Sequence, residues 1–369
     1  MARDLLSAPA HVTIAHINRI ATATPPHDMH DAFVRFARTL LPEARTKAVF
    51  DRLVTMAQIS HRYAVIPPAA DPEGPSVDAT GVYRRGRFPS TGQRMAMYEQ
   101  HAPELAARAV DRLALGDDAE RITHVVVTSC TGMYAPGLDL DLVERCGLNP
   151  SVERTMVGFM GCYAAINALK LAHHIVRSQP DAKVLVVDIE LCSLHLRETS
   201  DLESMLAFLV FADGCAASLV SAEPTGLAID GFHAASIPGT RDLMRWNIRD
   251  QGFDMLLSGQ VPAAIARGLD GSAAAILDGV PPASVDAWAV HPGGRTVLDA
   301  VQRGLGLEAG ALAASRAVLD QFGNMSSATV MFVLQSILDG KGAAERGCAM
   351  SFGPGLTAET MRFHRALGS

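Results

Sequence analysis

The chain has 369 residues, of which 49% are hydrophobic and 19% charged, and it carries a formal net charge of −7. This composition excludes a disordered chain and indicates one large α/β unit or two packed halves. The negative charge argues against nucleic acid as a partner, because phosphate backbones require a basic surface.

Predictions of location and cofactor use rest on what the sequence lacks. Residues 1–26 have neither the basic start nor the apolar middle of a signal peptide, and the longest apolar run, residues 206–211, is too short for a membrane span. The six cysteines follow no disulfide or zinc spacing. We therefore expect a cytoplasmic protein with no membrane span and no metal site.

The first stretch of interest in chain order, residues 43–63, is helix-like and basic. Arg45, Lys47, Arg52 and Arg62 recur along it. A solvated helix face is the simpler interpretation of this pattern. A local patch of this kind would also suit a small phosphorylated ligand, and the sequence alone leaves that second interpretation open.

A strand, a tight turn and a helix are predicted around Cys162. Residues 153–159 are β-prone, Gly161 provides the turn, and Cys162 then occupies the first position of an apolar, alanine-rich helix. Unpaired N–H groups and the helix dipole at such a position favour an anion and lower a thiol pKa. The alternative is a buried structural cysteine, which is the commoner fate of this residue type.

The second half of the chain repeats this pattern without repeating its residues. Strand-like runs end near Ser129 and His291, glycine turns precede Cys162 and Asn324, and each pair is separated by 162 residues. Two further strand-like runs, starting at residues 183 and 345, keep the same separation. We expect two related α/β halves about a pseudo-twofold axis, with Cys162 and Asn324 each beginning a helix aimed at a shared centre and His291 on the adjoining loop.

The residue types at Cys162, His291 and Asn324 suit acyl transfer. A cysteine nucleophile needs a histidine nearby, and the N–H groups of histidine and asparagine can together bind an oxyanion or an enolate. A turn-ordering role for His291 and a helix-capping role for Asn324 are the structural alternatives. A papain-like hydrolase shares the order Cys, His, Asn but its signature around the cysteine is missing, and a silent scaffold protein is a further alternative.

The motifs GFMGC, FADG, HPGG, GNMSSAT and FGPG occur together and in one order along nearly the whole chain. In this the chain resembles the type III polyketide synthases, similar to chalcone synthase, within the thiolase-fold condensing enzymes. The resemblance implies a five-layered αβαβα fold with halves at residues 1–222 and 223–369, and a homodimer. It also implies a buried site reached by a coenzyme A tunnel.

The resemblance assigns roles to the three residues. Cys162 would carry the starter and the growing chain as thioesters, while His291 and Asn324 would hold the thioester carbonyl of malonyl-CoA and stabilise the enolate. His291 would also keep Cys162 ionised. No metal or bound cofactor is needed, since loss of CO2 supplies the carbanion, and the substrates are coenzyme A thioesters.

Further residues match substrate-binding positions of that family. Phe211 corresponds to a gatekeeping phenylalanine, and Met255 replaces a second gatekeeping aromatic residue. Four residues match cavity-lining positions: Cys130, Thr131, His195 and Ser326. Arg52 matches a position that binds the phosphates of coenzyme A. Two other phosphate-binding positions hold Val49 and Met56, so that Arg45, Lys47 or Arg62 would have to substitute.

The sequence therefore predicts iterative condensation of malonyl-CoA onto an acyl-CoA starter, followed by cyclisation. The product can be an alkylpyrone, an alkylresorcinol or a related aromatic polyketide such as a phloroglucinol or naphthalene. The flexible methionine at position 255 favours a fatty acyl starter and an alkylpyrone or alkylresorcinol product. A single-round ketoacyl synthase is the nearest alternative. The proline in FGPG argues against it, because ketoacyl synthases of the related kind usually carry glycine there.

Overall fold

The computed structural model describes residues 13–340 and 345–366. The sequence predicts that residues 1–26 are not a signal peptide. Residues 1–12 of that segment lie outside the described residues. Across the described ranges the structure has thirteen strands: β1 His16–Ala23, β2 His27–Asp28, β3 Tyr63–Ala64, β4 His124–Ser129, β5 Glu153–Gly158, β6 Val184–Leu191, β7 Asp213–Ser221, β8 Leu227–Ser236, β9 Met244–Arg249, β10 Gly252–Leu257, β11 Ala287–Val290, β12 Gly347–Gly353 and β13 Thr357–Arg365. The same ranges contain ten α-helices: α1 His30–Leu40, α2 Ala44–Ala57, α3 Thr91–Leu113, α4 Leu138–Arg145, α5 Ala164–Ser178, α6 Leu202–Val210, α7 Val261–Ile276, α8 Arg295–Gly304, α9 Ala313–Phe322 and α10 Thr329–Asp339.

Nine strands form one mixed sheet in the order β11-β12-β13-β8-β1-β7-β6-β4-β5. Strands β1 and β8 meet through two residue pairs only, so the sheet consists of two halves joined at their inner edges. In each half a parallel pair (β4 with β6, β11 with β12) continues through antiparallel strands (β7 and β1, β13 and β8). This shared connectivity confirms the predicted two related halves.

Helices cover both faces of both half-sheets. The central layer holds α5 and α10, whose buried residues share one core with strands of both halves. Helices α3 and α4 cover the outer face of the first half-sheet, and α7 and α8 cover that of the second. The five layers αβαβα are therefore confirmed. The sequence explains the central layer, since α5 is rich in alanine and all eight residues of β6 are buried, as expected for strands covered on both faces.

One detail of the predicted symmetry is wrong. Asn324 does not begin a helix, because α10 starts five residues later and follows a 3₁₀ turn over residues 326–328. Gly323, at φ +68°, turns the chain after α9, and Asn324 then lies extended beside Phe211. Cys162 likewise lies in a 3₁₀ turn, residues 161–163, just before α5.

The predicted boundary after residue 222 falls between β7 and β8 and stays a prediction. No helix in residues 13–340 or 345–366 is long and apolar enough to cross a membrane. In the same part of the chain, no group of three or more His, Cys, Asp or Glu side chains is arranged to hold a metal ion.

Candidate active site

Cys162 is placed by a close contact between the two halves. Gly161 has φ +75°, and a Cβ atom there would lie 2.1 Å from the ring of Pro354. A Cβ atom at Gly353 would lie 2.6 Å from the ring of Tyr163. Glycine is therefore required at both positions, and the FGPG loop of the second half packs directly onto the turn that carries the thiol.

The thiol faces a narrow pocket, called the enclosed cavity below, whose free volume is about 480 Å³ including the space open to solvent. Its walls are almost entirely apolar, and no charged side chain of residues 13–340 or 345–366 lines it. The lining includes six of the side chains expected from the sequence: Cys130, Thr131, Cys162, Phe211, Met255 and Ser326. The rest of the lining consists of Gly161, Cys192, Phe208, Met244, Trp246 and Pro354. Of these, only Gly161, for its turn, and Pro354, in FGPG, stood out in the sequence.

Asn324 connects the surroundings of Cys162 to the loop of His291. Cys162 Sγ lies 3.6 Å from Ser326 Oγ, and the Ser326 main-chain N–H donates to Asn324 Oδ1 at 2.9 Å. Asn324 Nδ2 in turn donates to the carbonyl of Gly293, two residues after His291, at 3.3 Å. Ser326 has φ +47°, an uncommon conformation for a residue with a side chain and one often found at functional sites.

His291 has unsatisfied hydrogen-bonding capacity. Its main chain is fixed by a bond to the carbonyl of Met350 at 2.8 Å, and its side chain is 1% exposed. Both ring nitrogens are buried and lack a hydrogen-bond partner among the described residues. Buried polar atoms are normally paired, so this ring is a strong candidate for contact with a bound ligand.

Burial controls the ionisation of the two reactive groups. It raises the pKa of the Cys162 thiol to about 12 and lowers the pKa of the His291 ring to about 3. No hydrogen bond joins Cys162 to His291 among the described residues. The predicted lowering of the thiol pKa is therefore wrong for this arrangement, in which both groups are neutral at pH 7.

A buried carboxylate that the sequence analysis missed supports the loop beside Cys162. Glu190 accepts hydrogen bonds from the Cys130 main chain at 2.9 Å, from the Thr131 hydroxyl at 2.8 Å and from the Ser327 hydroxyl at 2.6 Å. Its burial raises its pKa. An acidic residue near the carboxyl end of an otherwise apolar strand, β6, was the available sequence signal.

His195 does not line the cavity, contrary to its expected position. It is fully buried behind the wall, where Nε2 bonds to the carbonyl of Thr131 at 2.7 Å and Nδ1 accepts the N–H of Phe253 at 3.0 Å. Its ring stacks on that of Phe253 at 4.1 Å. His195 therefore fastens the β9–β10 hairpin, which carries Trp246 and Met255, to the TSCTG loop.

A second, more open cavity has a free volume of about 1240 Å³, including the space open to solvent. Its lining includes Val210, adjacent to Phe211, and Gly293 and Gly294, which follow His291 in HPGG. Leu53 of α2 also contributes, and the exposed side chain of Arg52 is its neighbour in sequence. Phe211 lines the enclosed cavity and its neighbour Val210 lines the open one, so the two cavities approach each other at this segment.

The basic stretch is shorter than expected. Helix α2 ends at Ala57, and Arg62 lies beyond it with 1% exposure, so Arg62 cannot contact a ligand in the open cavity. Arg45 and Arg52 are exposed and Lys47 is half-buried. Exposed Val49 and Met56 lie on the same helix.

Comparison with known proteins agrees with this geometry. Residues 8–224 match the family model described as chalcone and stilbene synthases, N-terminal domain, and residues 232–366 match the corresponding C-terminal domain. The chain therefore belongs to the chalcone and stilbene synthase family. It is a type III polyketide synthase, an acyltransferase that performs iterative decarboxylative condensation, and enzymes of this family use acyl-CoA and malonyl-CoA.

Individual relatives cover nearly the whole chain. The alpha-pyrone synthesis polyketide synthase-like protein Pks18 of Mycobacterium tuberculosis is 34% identical over 95% of this chain and 91% of its own. Bisdemethoxycurcumin synthase of Oryza sativa subsp. japonica is 32% identical over 95% and 92%. The crystal structure of PKS-I from the brown alga Ectocarpus siliculosus has a TM-score of 0.86 at 31% identity, covering 97% of this chain and 100% of its own. These matches disfavour the hydrolase, scaffold and single-round synthase alternatives.

The role of His195 gives a pH-dependent prediction. Burial lowers its pKa to about 3, so the unfolded state binds more protons between pH 3 and 6.5 and the stabilisation from the neutral ring is lost as pH falls through that window. Replacing His195 with Gln should make the free energy of unfolding less sensitive to pH. Denaturant unfolding at pH 7 and pH 5 should show the wild type losing more stability than the variant, by on the order of 2 kcal/mol. Equal losses in both proteins would contradict a neutral, buried ring.

Proposed function

We propose that the enzyme extends a fatty acyl starter with malonyl-CoA and closes the product to an alkylpyrone or alkylresorcinol, with Cys162, His291 and Asn324 as catalytic residues. The observation that carries this proposal is the enclosed apolar cavity, which has a thiol on its wall and unpartnered histidine nitrogens in the adjoining centre. An apolar enclosure suits an alkyl chain, since burial of methylene groups in it is favourable.

Starter loading forms a bond from Cys162 Sγ to the acyl carbon and breaks the thioester bond to coenzyme A. The neutral imidazole of His291 accepts the thiol proton and passes it to the departing coenzyme A thiolate. Because both groups are neutral beforehand, proton transfer accompanies attack and does not precede it.

Extension uses His291 for a second task, together with Asn324. When malonyl-CoA loses CO2, its thioester becomes an enolate, and the N–H groups of His291 and Asn324 donate to the enolate oxygen. The resulting carbanion attacks the acyl carbon on Cys162, a carbon–carbon bond forms, and the sulfur leaves. The extended chain is then a coenzyme A thioester. Before the next extension, Cys162 Sγ attacks its thioester carbon, the bond to coenzyme A breaks, and the coenzyme A thiolate leaves and takes up a proton.

The choice of a fatty starter is supported by the part of the cavity wall that the β9–β10 hairpin forms. Met255 and Trp246 are cross-strand partners in the β9–β10 hairpin, and both line the cavity together with Met244. Two flexible methionines can adjust to an alkyl chain where a second gatekeeping ring would stop it. Alpha-pyrone synthesis in the printed name of Pks18 agrees with a pyrone product.

Acyl-CoA starters of graded chain length, incubated with malonyl-CoA and analysed by mass spectrometry, test this proposal. We expect cyclised products from medium and long acyl chains. Met255→Phe should shift the preference to shorter starters, lowering kcat/KM for long ones by about tenfold or more. The matched control is Leu256→Phe, because Leu256 is exposed on the opposite face of the same strand. Product from malonyl-CoA alone and none from any fatty acyl-CoA would contradict the proposal.

Recognition of coenzyme A is assigned to the mouth of the open cavity. Arg52 has no ion-pair partner among the described residues. Arg295, at the start of α8, reaches the carbonyl of Met56 at 3.3 Å and so supplies a cation beside a position where the resemblance expects one. These cations would attract the phosphates of the substrate to a protein of net negative charge.

We also place the enzyme in the cytoplasm, which the six free cysteines support.

Replacing Arg52 with Ala should raise KM for malonyl-CoA by about tenfold, since a charge-assisted phosphate contact is lost. KM for the N-acetylcysteamine thioester of malonate, which lacks the phosphates, should stay unchanged. Arg177→Ala is the control, because Arg177 is exposed at the far end of α5. An equal rise in KM for both thioesters would show that Arg52 does not act on the phosphates.

We also propose that the enzyme is a homodimer, with its interface at the exposed edge strand β5. Strand β5 ends the nine-stranded sheet, and its residues 153–156 are exposed. Three exposed methionines lie on or near it: Met133, Met156 and Met160. An exposed sheet edge with apolar side chains usually marks an interface.

Light scattering should give twice the mass of one chain for the wild type. Met156→Glu should shift the equilibrium towards monomer by introducing a charge into the interface, whereas Ile248→Glu, at another exposed apolar residue, should not. A monomeric wild type, or equal effects of the two substitutions, would contradict an interface at β5.

A further inference from the structure

Arg62 is a buried cation held by main-chain carbonyl groups. Its Nη1 donates to the carbonyl oxygens of Phe208 and Phe211, at 2.7 and 2.8 Å. Its Nε donates to His30 Nδ1 at 3.0 Å, and its guanidinium lies 4.7 Å from the centre of the Phe33 ring. Arg62 forms no ion pair with a carboxylate among the described residues.

The two carbonyl groups belong to the end of α6, where Phe211 follows the last helical residue. Carbonyl groups in the last turn of a helix lack partners within the helix, and the helix dipole places negative charge there. A buried guanidinium donates hydrogen bonds to these carbonyl groups and also places a positive charge beside the negative end of the helix. The main chain of Phe211 is therefore fixed by Arg62, at the point where the open and enclosed cavities approach each other.

The same contact determines the position of Asn324. The N–H of Asn324 donates to the carbonyl of Val210 at 2.8 Å, and the N–H of Ala212 donates to the carbonyl of Asn324 at 2.9 Å. Arg62 also packs against the preceding glycine, since a Cβ atom at Gly323 would lie 2.8 Å from Arg62 Cγ. A shift of the Phe211 segment would consequently move Asn324 with it.

We propose that Arg62 is a positioning residue that holds the gate residue Phe211 and the catalytic amide of Asn324 in one fixed relation. It touches neither substrate nor cavity, and it acts through the two main-chain segments that it joins to α1. This inference rests on the proposed function, because it takes Asn324 as the donor to the malonyl-CoA enolate. Lysine cannot replace it, since a single ammonium group lacks the fork that bonds Nε and Nη1 to separate partners.

Arg62→Lys tests the inference, with Arg94→Lys as the matched control. Arg94 is also fully buried and bonded to carbonyl groups, those of Pro89, Leu194 and Leu196, but among the described residues it forms no hydrogen bond with Phe211 or Asn324. Both variants should lower the unfolding midpoint. We expect only Arg62→Lys to lower kcat for CO2 release from malonyl-CoA, by about tenfold or more as for loss of one oxyanion donor, with KM changed less than threefold.

A pair of substitutions at His30 keeps the inference testable if Arg62→Lys fails to fold. His30→Asn retains an acceptor for Arg62 Nε and should keep most of the kcat, whereas His30→Leu should lose it. A folded Arg62→Lys or His30→Leu variant with wild-type kcat would overturn the inference. A wild-type enzyme that releases no CO2 from malonyl-CoA would instead contradict the proposed function.

Discussion

The site depends on how closely the two halves approach each other at Gly161. This turn belongs to the first half, and Pro354 of the second half occupies the space that any side chain at position 161 would fill. The contact brings Cys162 to within 3.6 Å of Ser326, and Ser326 is bonded to Asn324. A nucleophile from one half thus meets an amide and a histidine loop from the other, which neither half could assemble alone.

That assembly has an electrostatic consequence. The enclosed cavity contains no charged side chain from the described part of the chain, and burial disfavours both a Cys162 thiolate and a protonated His291. In the proposed mechanism, charge consequently develops at this centre only during reaction, when His291 takes the thiol proton or an enolate forms. The unpartnered nitrogens of His291 then act in a medium of low dielectric constant, where hydrogen bonds to a charged oxygen are strongest.

The two related α/β halves were predictable because they depend on local patterns of strands, glycine turns and small-residue helices, and these turns also marked Cys162, His291 and Asn324. The five layers were expected from the family resemblance, and the catalytic roles of the three residues stay proposals. The exact start of α10 was not predictable from local patterns. Asn324 is held in an extended conformation by main-chain hydrogen bonds to Val210 and Ala212, which lie more than a hundred residues away in sequence. His195 and Arg62 were misplaced for the same reason. A polar residue beside a predicted cavity can face into it or support it from behind, and only long-range packing decides between the two.

The claim that Cys162 alone carries the acyl chain is open to one direct measurement. Cys130 and Cys192 line the same cavity and serve as internal competitors. The enzyme would be incubated with a medium-chain fatty acyl-CoA, digested under conditions that preserve thioesters, and mapped by mass spectrometry. The account predicts acyl mass on Cys162 and none in a Cys162→Ala variant. Acyl mass on Cys130 or Cys192 in that variant, or no adduct in the wild type, would contradict it.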